Sequence, residues 1–365
     1  MLRREMLKVT LVGSGALAST TNALLPVERA EAKSASESLE ALSEKLTKEL
    51  FSNDGLARPI PKRPTVSDLA KDLDRTLVLG GGGEWYVAWY CGFFHGLYDQ
   101  GVDMSALSEM VVGTSAGSYI GSSVTSGHFF HMRTAFDFFS YFPTIFAKLA
   151  PLSSPTSSQA RAIRLSAAAG DGKATTLQSI GRAALAADNK LNGDGVERVA
   201  AFMTGDSKTD WPVAKMFTSA VDCYTGERLI VSQGAARKNK IPLARGAAAS
   251  SSLPGVIGPT LLGQRYAMDG GICDNAAHVD TVAGCKRAIV ITITDGITPP
   301  FLTGVPHHLA ENIKQIEATG TRVLWIIANP PTNISLIDPK QMEPALHLGY
   351  ERAKIEAEKI KKFWA

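Results

Sequence analysis

Cysteine, charge and long apolar runs are all in short supply in this chain of 365 residues, and each shortage removes a class of function. The four cysteines, Cys91, Cys223, Cys273 and Cys285, form no C-x-x-C pair and have no histidine at metal-ligand spacing. A zinc site and a dithiol redox centre are therefore not indicated, and core packing is the default reading, although a Cys273–Cys285 disulfide is conceivable in an oxidising compartment. Charged residues make up 20% of the chain, and the formal net charge of +3 is spread over scattered Lys and Arg. That excludes a nucleic-acid groove and leaves anionic lipid headgroups open as partners. No cluster of acidic ligands suggests calcium or another metal, and no cofactor is implied.

What is present is a large apolar fraction, 45%, over a length that suits one sizeable domain with appendages. The first residues are set apart from it. Arg3, Arg4 and Lys8 precede a modest apolar stretch, Val9 to Leu25, too polar for a membrane span, and Ala30-Glu31-Ala32 supplies a small-x-small cleavage signal. "RREMLK" resembles the twin-arginine export consensus, with Met6 in place of Phe, so residues 1–32 are expected to be a signal peptide. The implied destination is the periplasm or the exterior of a bacterium, reached in the folded state. Within the leader, Gly13 to Ala18 fits the dinucleotide fingerprint G-x-G-x-x-A, but no second strand ending in an acidic residue follows at the needed distance.

Residues 33–74 combine a charged helical pattern, "SESLEALSEKLTKEL", with the Pro-rich "ARPIPKRPTV", and read as a surface helix and a tether. From residue 75 to 365 short apolar strands alternate with helical stretches. The strand candidates are Thr76–Leu79, Met110–Val112, Met216–Val221, Ala288–Thr294 and Val323–Ala328, which predicts an α/β fold with a mostly parallel central sheet sandwiched by helices. An Ala/Ser-rich stretch at about 150–212 reads as a helical insertion, either a cover over a site or a packing layer. The final helix ends in Lys359, Lys361, Lys362 and Trp364, which admits membrane-surface contact beside the simpler reading of a solvated terminal helix.

Three short motifs carry chemistry. Gly113-Thr114-Ser115-Ala116-Gly117 is a G-x-S-x-G between an apolar strand and a helix, the context of a nucleophile elbow, where Gly113 and Gly117 remove side chains that would collide and Ser115 is the nucleophile. "LVLGGGGEWYVAWYCGF" places Gly80 to Gly83 after another strand. A phosphate cradle would want a Lys, Ser or Thr after the glycines, and Glu84-Trp85-Tyr86 stand there instead. Amides of Gly81, Gly82 and Gly83 are the better candidates for an oxyanion hole. Thirdly, "GQRYAMDGGICDN" puts Asp269 at the end of a short strand before Gly270 and Gly271, either an exposed carboxylate at a tight turn or a plain Asp-Gly hairpin.

In that order, the glycine run, G-T-S-A-G and D-G-G resemble the patatin-like phospholipases. "DCYTGERLIVS", "AAASSSLPGVIGP" and "YAMDGGICDNAA" extend the likeness from about Arg75 to the C-terminal helix, and "GGGGEWYVAWYCGF" looks most like a bacterial subgroup. The resemblance implies a Ser–Asp dyad of Ser115 and Asp269 that works without histidine on lipid acyl esters. The chain departs from the family pattern at Trp85 and Tyr86, where a basic or small polar residue and then Gly are usual, and at Ala276, where Pro is common.

Two other readings remain. A triad of Ser115, Asp295 and His307 or His308 has the chain order of an α/β-hydrolase, although Leu79 stands where His would precede the oxyanion glycines. A lipid-binding scaffold without catalysis would follow if Trp85 and Tyr86 closed the oxyanion hole.

Overall fold

A computed structural model describes residues 51, 53–149, 155–166, 169–205, 210–273, 276–297 and 308–365. The leader, its glycine fingerprint, the charged helical pattern after it and His307 lie outside the described residues. Residues 54–365 form one compact unit.

The apolar runs become eight strands: β1 Arg75–Leu79, β2 Met110–Gly113, β3 Met216–Asp222, β4 Arg228–Val231, β5 Thr260–Leu262, β6 Arg265–Asp269, β7 Arg287–Thr292 and β8 Arg322–Ile327. They make one sheet in the order β5-β6-β3-β2-β1-β7-β8, with β4 paired to β3 off this path. The five strands from β3 to β8 by way of β1 run parallel. β4, β5 and β6 add an antiparallel edge. β5 has no counterpart among the strands expected from the sequence, because its three residues carry too short a pattern to read.

The helices are α1 Gly83–Asp99, α2 Met104–Leu107, α3 Ala116–Thr125, α4 Phe129–Tyr141, α5 Pro143–Leu149, α6 Ser157–Ser166, α7 Ala174–Ala186, α8 Gly193–Thr204, α9 Gln233–Asn239, α10 Leu243–Ser250, α11 Leu309–Glu317 and α12 Met342–Trp364. They cover both faces, so central strands can be apolar throughout. Alternation along β1 shows the division. Leu77 and Leu79 join the larger core with α1, α3, α10 and α12, while Val78 joins the opposite layer with Val112, Val290 and Ile313 of α11. α1 and α12 approach backbone to backbone: a Cβ on Gly92 would run into the Leu346 carbonyl, and one on Gly349 into that of Trp89.

Four of the sequence readings take a more definite form here. The Pro-rich segment is laid against the body: Ala57 bridges to Leu229, and Arg58 and Ser67 donate backbone hydrogen bonds to the carbonyls of Arg228 and Ala283. Helices α6, α7 and α8 lie in the insertion, and a Cβ on Gly181 of α7 would meet the backbone of Cys223 beyond the end of β3, so α7 packs directly against that strand end. At the basic end of α12 the Trp364 side chain is buried, and Lys359 and Lys361 pair with Glu356 and Glu358. Cys273 and Cys285 sit in separate core clusters and form no disulfide with each other. Among the described residues no helix is long and apolar enough to cross a membrane.

Candidate active site

The parallel pairing of β1 with β2 brings two chain exits together, since Leu79 lies beside Gly113 in register. The glycine run leaves from one and Ser115 from the other. Ligand sites in open α/β sheets lie beyond the carboxyl ends of such strands.

Ser115 is held at φ 50° and ψ −118°, a conformation costly for a residue with a side chain, and α3 starts immediately after it. The turn survives because its neighbours are small. A Cβ on Gly117 would strike the Leu79 carbonyl, and one on Gly113 would crowd Gly117 and Ser118. Thr114 N–H donates to the Leu79 carbonyl at 2.9 Å, and Ser115 N–H donates to the Ser250 hydroxyl at 2.9 Å. The elbow is thereby tied to both β1 and α10.

The three oxyanion candidates diverge. Gly81 faces the serine, with its would-be Cβ only 2.9 Å from Ser115 Cβ. Gly82 faces Ile293 and Tyr86, and Gly83, at φ 67°, opens α1 and faces the Leu336 carbonyl. Among the described residues, the N–H groups of Gly81, Gly82 and Ala116 donate to no acceptor. Ala116 was not singled out in the sequence, although the amide after a nucleophile is a standard donor. Trp85 and Tyr86 are buried within α1, and Tyr86 packs against Gly82 rather than against Gly81.

Asp269 is the last residue of β6, opposite Ala220 of β3, and a 3-10 turn over Gly270–Ile272 follows it in place of a hairpin. Its Oδ1 accepts Gly271 N–H at 2.7 Å. Oδ2 is buried with no hydrogen-bond partner of normal geometry. Burial pushes the carboxyl up to about 7, opposed by the Gly271 N–H and by the approach of the Ser115 hydroxyl. His278, fully buried, donates from Nε2 to the Gly270 carbonyl at 3.0 Å, and Asp269 N–H donates to the Ser252 carbonyl. Tyr119 and Ser251 share a hydrogen bond of 2.7 Å, and the Tyr119 hydroxyl feels the charges of both Glu84 and Asp269. Glu84 Oε2 is itself enclosed without a partner, and burial raises that carboxyl to about 7.

The arrangement brings Ser115, Gly81 and Asp269 together from segments far apart in the chain. Of the residues in the alternative triad, His308 is exposed at the N-terminus of α11, and Asp295 accepts the Ile297 N–H in its own loop. No group of three His, Cys, Asp or Glu side chains suited to a metal ion occurs among the described residues.

The solved structures to which this chain is similar include two bacterial ones. The crystal structure of VipD from Legionella pneumophila is 13% identical, with a TM-score of 0.38, and the match covers 83% of this chain and 71% of that one. The ExoU–SpcU complex from the type III secretion system of Pseudomonas aeruginosa gives 16% identity and a TM-score of 0.36 over 81% of this chain and 53% of the other, so this chain spans about half of that length. No curated protein matches the chain. The patatin family model, described as patatin-like phospholipase, matches residues 77–280. That interval is more than half of the sequence and contains the glycine run, Ser115 and Asp269, and the chain belongs to the patatin-like phospholipase family.

Proposed function

We propose that this protein is a serine hydrolase of lipid acyl esters, of phospholipase A or lysophospholipase type, working through Ser115 and Asp269. The observation that carries the reading is the meeting of a strained, buried serine with an open glycine amide and a carboxyl oxygen that has no other partner. In this scheme the Ser115 proton passes to Asp269 as Oγ attacks the ester carbonyl. The amides of Gly81 and Gly82, with the N-terminus of α3, offset the charge on the tetrahedral oxyanion. Collapse expels the alcohol, which takes the proton from Asp269 and leaves an acyl-serine. Water then attacks, gives its proton to Asp269, and the carboxylic acid leaves as Ser115 regains its hydrogen. A carboxyl pushed toward 7 is a stronger base than an ordinary aspartate while remaining ionised for much of the time at neutral pH.

The substrate surface is assigned to the exposed side chains around the α4–α5 junction, the aromatics Phe138, Tyr141 and Phe142 with Ile145, which suit the interface of a lipid aggregate. Residues 1–32 are proposed as a cleaved twin-arginine-type leader, so that the hydrolase acts outside the cytoplasm. A mature protein retaining its first 32 residues in an exported fraction would refute that part.

The deciding experiment is hydrolysis of a short-chain nitrophenyl ester by the protein beside its Ser115→Ala variant. Release that disappears in the variant supports the reading. A folded wild type that binds lipid and releases nothing, with binding unchanged in Ser115→Ala, would instead favour a non-catalytic scaffold.

A further inference from the structure

The oxyanion amide at Gly81 belongs to the peptide unit whose carbonyl is that of Gly80. In a trans peptide the C=O and N–H point in opposite directions, so whatever holds one fixes the other. The Gly80 carbonyl is held by the hydroxyl of Tyr90, at 3.2 Å, and the same hydroxyl lies 3.1 Å from the Ile291 carbonyl. Gly80 N–H also donates to Ile291, at 2.9 Å. Tyr90 therefore bridges the ends of β1 and β7 where the glycine run departs. Its ring is locked in place, fully buried, 4.1 Å from the ring of Tyr86 and edge-on to Trp89 and Phe94.

We propose that Tyr90 is a positioning residue that sets the orientation of the Gly80–Gly81 peptide, turning the Gly81 N–H toward the oxyanion formed on Ser115. Four adjacent glycines make this restraint necessary, because a run without side chains has no steric bar to rotating a peptide by half a turn. A rotated unit would offer a carbonyl lone pair where the oxyanion needs a donor, converting stabilisation into repulsion. Two facts agree with the assignment. The Gly81 N–H is left without an acceptor among the described residues, and Gly81 is the glycine that faces Ser115. Tyr90 touches no reacting atom. It acts through one peptide unit.

The inference rests on the acyl-transfer reading, and the test separates the two. Tyr90→Phe keeps the ring and removes the hydroxyl. With a nitrophenyl ester, kcat is expected to fall about 10- to 100-fold, with KM within about twofold, because one oxyanion donor is typically worth about 100- to 1,000-fold and a misaligned one loses part of that. A trifluoromethyl ketone, to which Ser115 adds to form a stable oxyanion, should lose affinity by the same factor, while a substrate-like amide that forms none should not. Thermal melts of the same samples establish that the variant is folded. Incorporating 3-fluorotyrosine at position 90 restores a hydroxyl donor and should restore kcat and ketone affinity together. If the fluorotyrosine protein is as impaired as Tyr90→Phe, or if Tyr90→Phe loses kcat without losing ketone affinity, the assignment is overturned. An active wild type with an unaltered Tyr90→Phe overturns this inference alone. A wild type without esterase activity overturns the acyl-transfer reading and removes this inference with it.

Discussion

Gly271 donates its backbone N–H to Oδ1 of Asp269 at 2.7 Å, so one oxygen of the carboxyl is committed to the turn behind it and the other has no hydrogen-bond partner of normal geometry. The turn that makes this bond is itself held by His278 through the Gly270 carbonyl. The carboxyl is oriented from the backbone side, and its buried position dominates its titration.

The first prediction follows from that burial. Asp269 titrates near 7 in the folded protein, against 3.8 ordinarily, so between those values the folded state binds the proton and the unfolded state does not. The contribution to stability is complete below 3.8 and is lost as pH rises through about 7. Asp269→Asn removes this slope. Urea denaturation should find the variant more stable than wild type at pH 8, by about 4 kcal/mol at most, with the difference vanishing toward pH 4. Glu84 adds a second descent of the same sign, which Asp269→Asn leaves in place and Glu84→Gln removes. Esterase activity of the wild type should rise with an acid limb near 7 and be lost about 1,000-fold or more in Asp269→Asn. A variant that keeps its turnover would remove Asp269 from the mechanism.

Strain at Ser115 supplies the second. Ser115 sits at φ 50°, where glycine is at ease and alanine is not. Ser115→Ala and Ser115→Gly both delete the hydroxyl, and both should be inactive. Only the glycine relieves the backbone, so it should be the more stable of the two by about 1 kcal/mol in chemical denaturation. Equal stabilities would mean that the elbow stores no strain.

Much of the fold is legible in the sequence, and the residues show why. The parallel strands announce themselves as uninterrupted apolar runs because both faces are covered. The three motifs are compact because a crowded turn demands glycine within a few residues of the group it exposes. What escaped are the contacts that fix those turns from elsewhere in the chain. Ser250 reaches Ser115 across 135 positions, and Tyr90 and His278 act on carbonyls rather than on side chains. A tyrosine in an apolar helix or a histidine after a loop carries no local sign of such a role. The C-terminal helix misleads for another reason: its lysines lie on an exposed face, and Trp364, which follows them in sequence, turns inward.

The exposed aromatics give the third prediction. Tyr141 is 71% exposed and Phe142 49%, beside Phe138 and Ile145, and none of these serves the core. Tyr141→Ser with Phe142→Ser should leave hydrolysis of a dissolved short-chain ester within about twofold, and reduce hydrolysis of phospholipid vesicles about tenfold through weaker partitioning. Equal loss on both substrates would place the defect in the fold or the site.

The last prediction concerns the helix pair that carries the glycine loop. α1 begins at Gly83 and holds Tyr90, and α12 is its main packing partner. Their closeness depends on glycines facing carbonyls, Gly92 against Leu346 and Gly349 against Trp89. A methyl group at either place meets backbone, which cannot swing aside as a side chain can, so the helices must separate. Gly349→Ala should destabilise the protein by about 3 kcal/mol or more, well beyond what helix propensity alone would return. Gly234→Ala is the matched comparison: it lies in helix α9, a Cβ there meets nothing within 4 Å, and the substitution should stabilise by about 0.5–1 kcal/mol. Because α1 leads directly out of the glycine run, Gly349→Ala protein that remains folded should also lose esterase activity, with kcat affected more than KM. A Gly349→Ala protein as stable and as active as wild type would show that the α1–α12 contact neither supports the fold nor holds the loop.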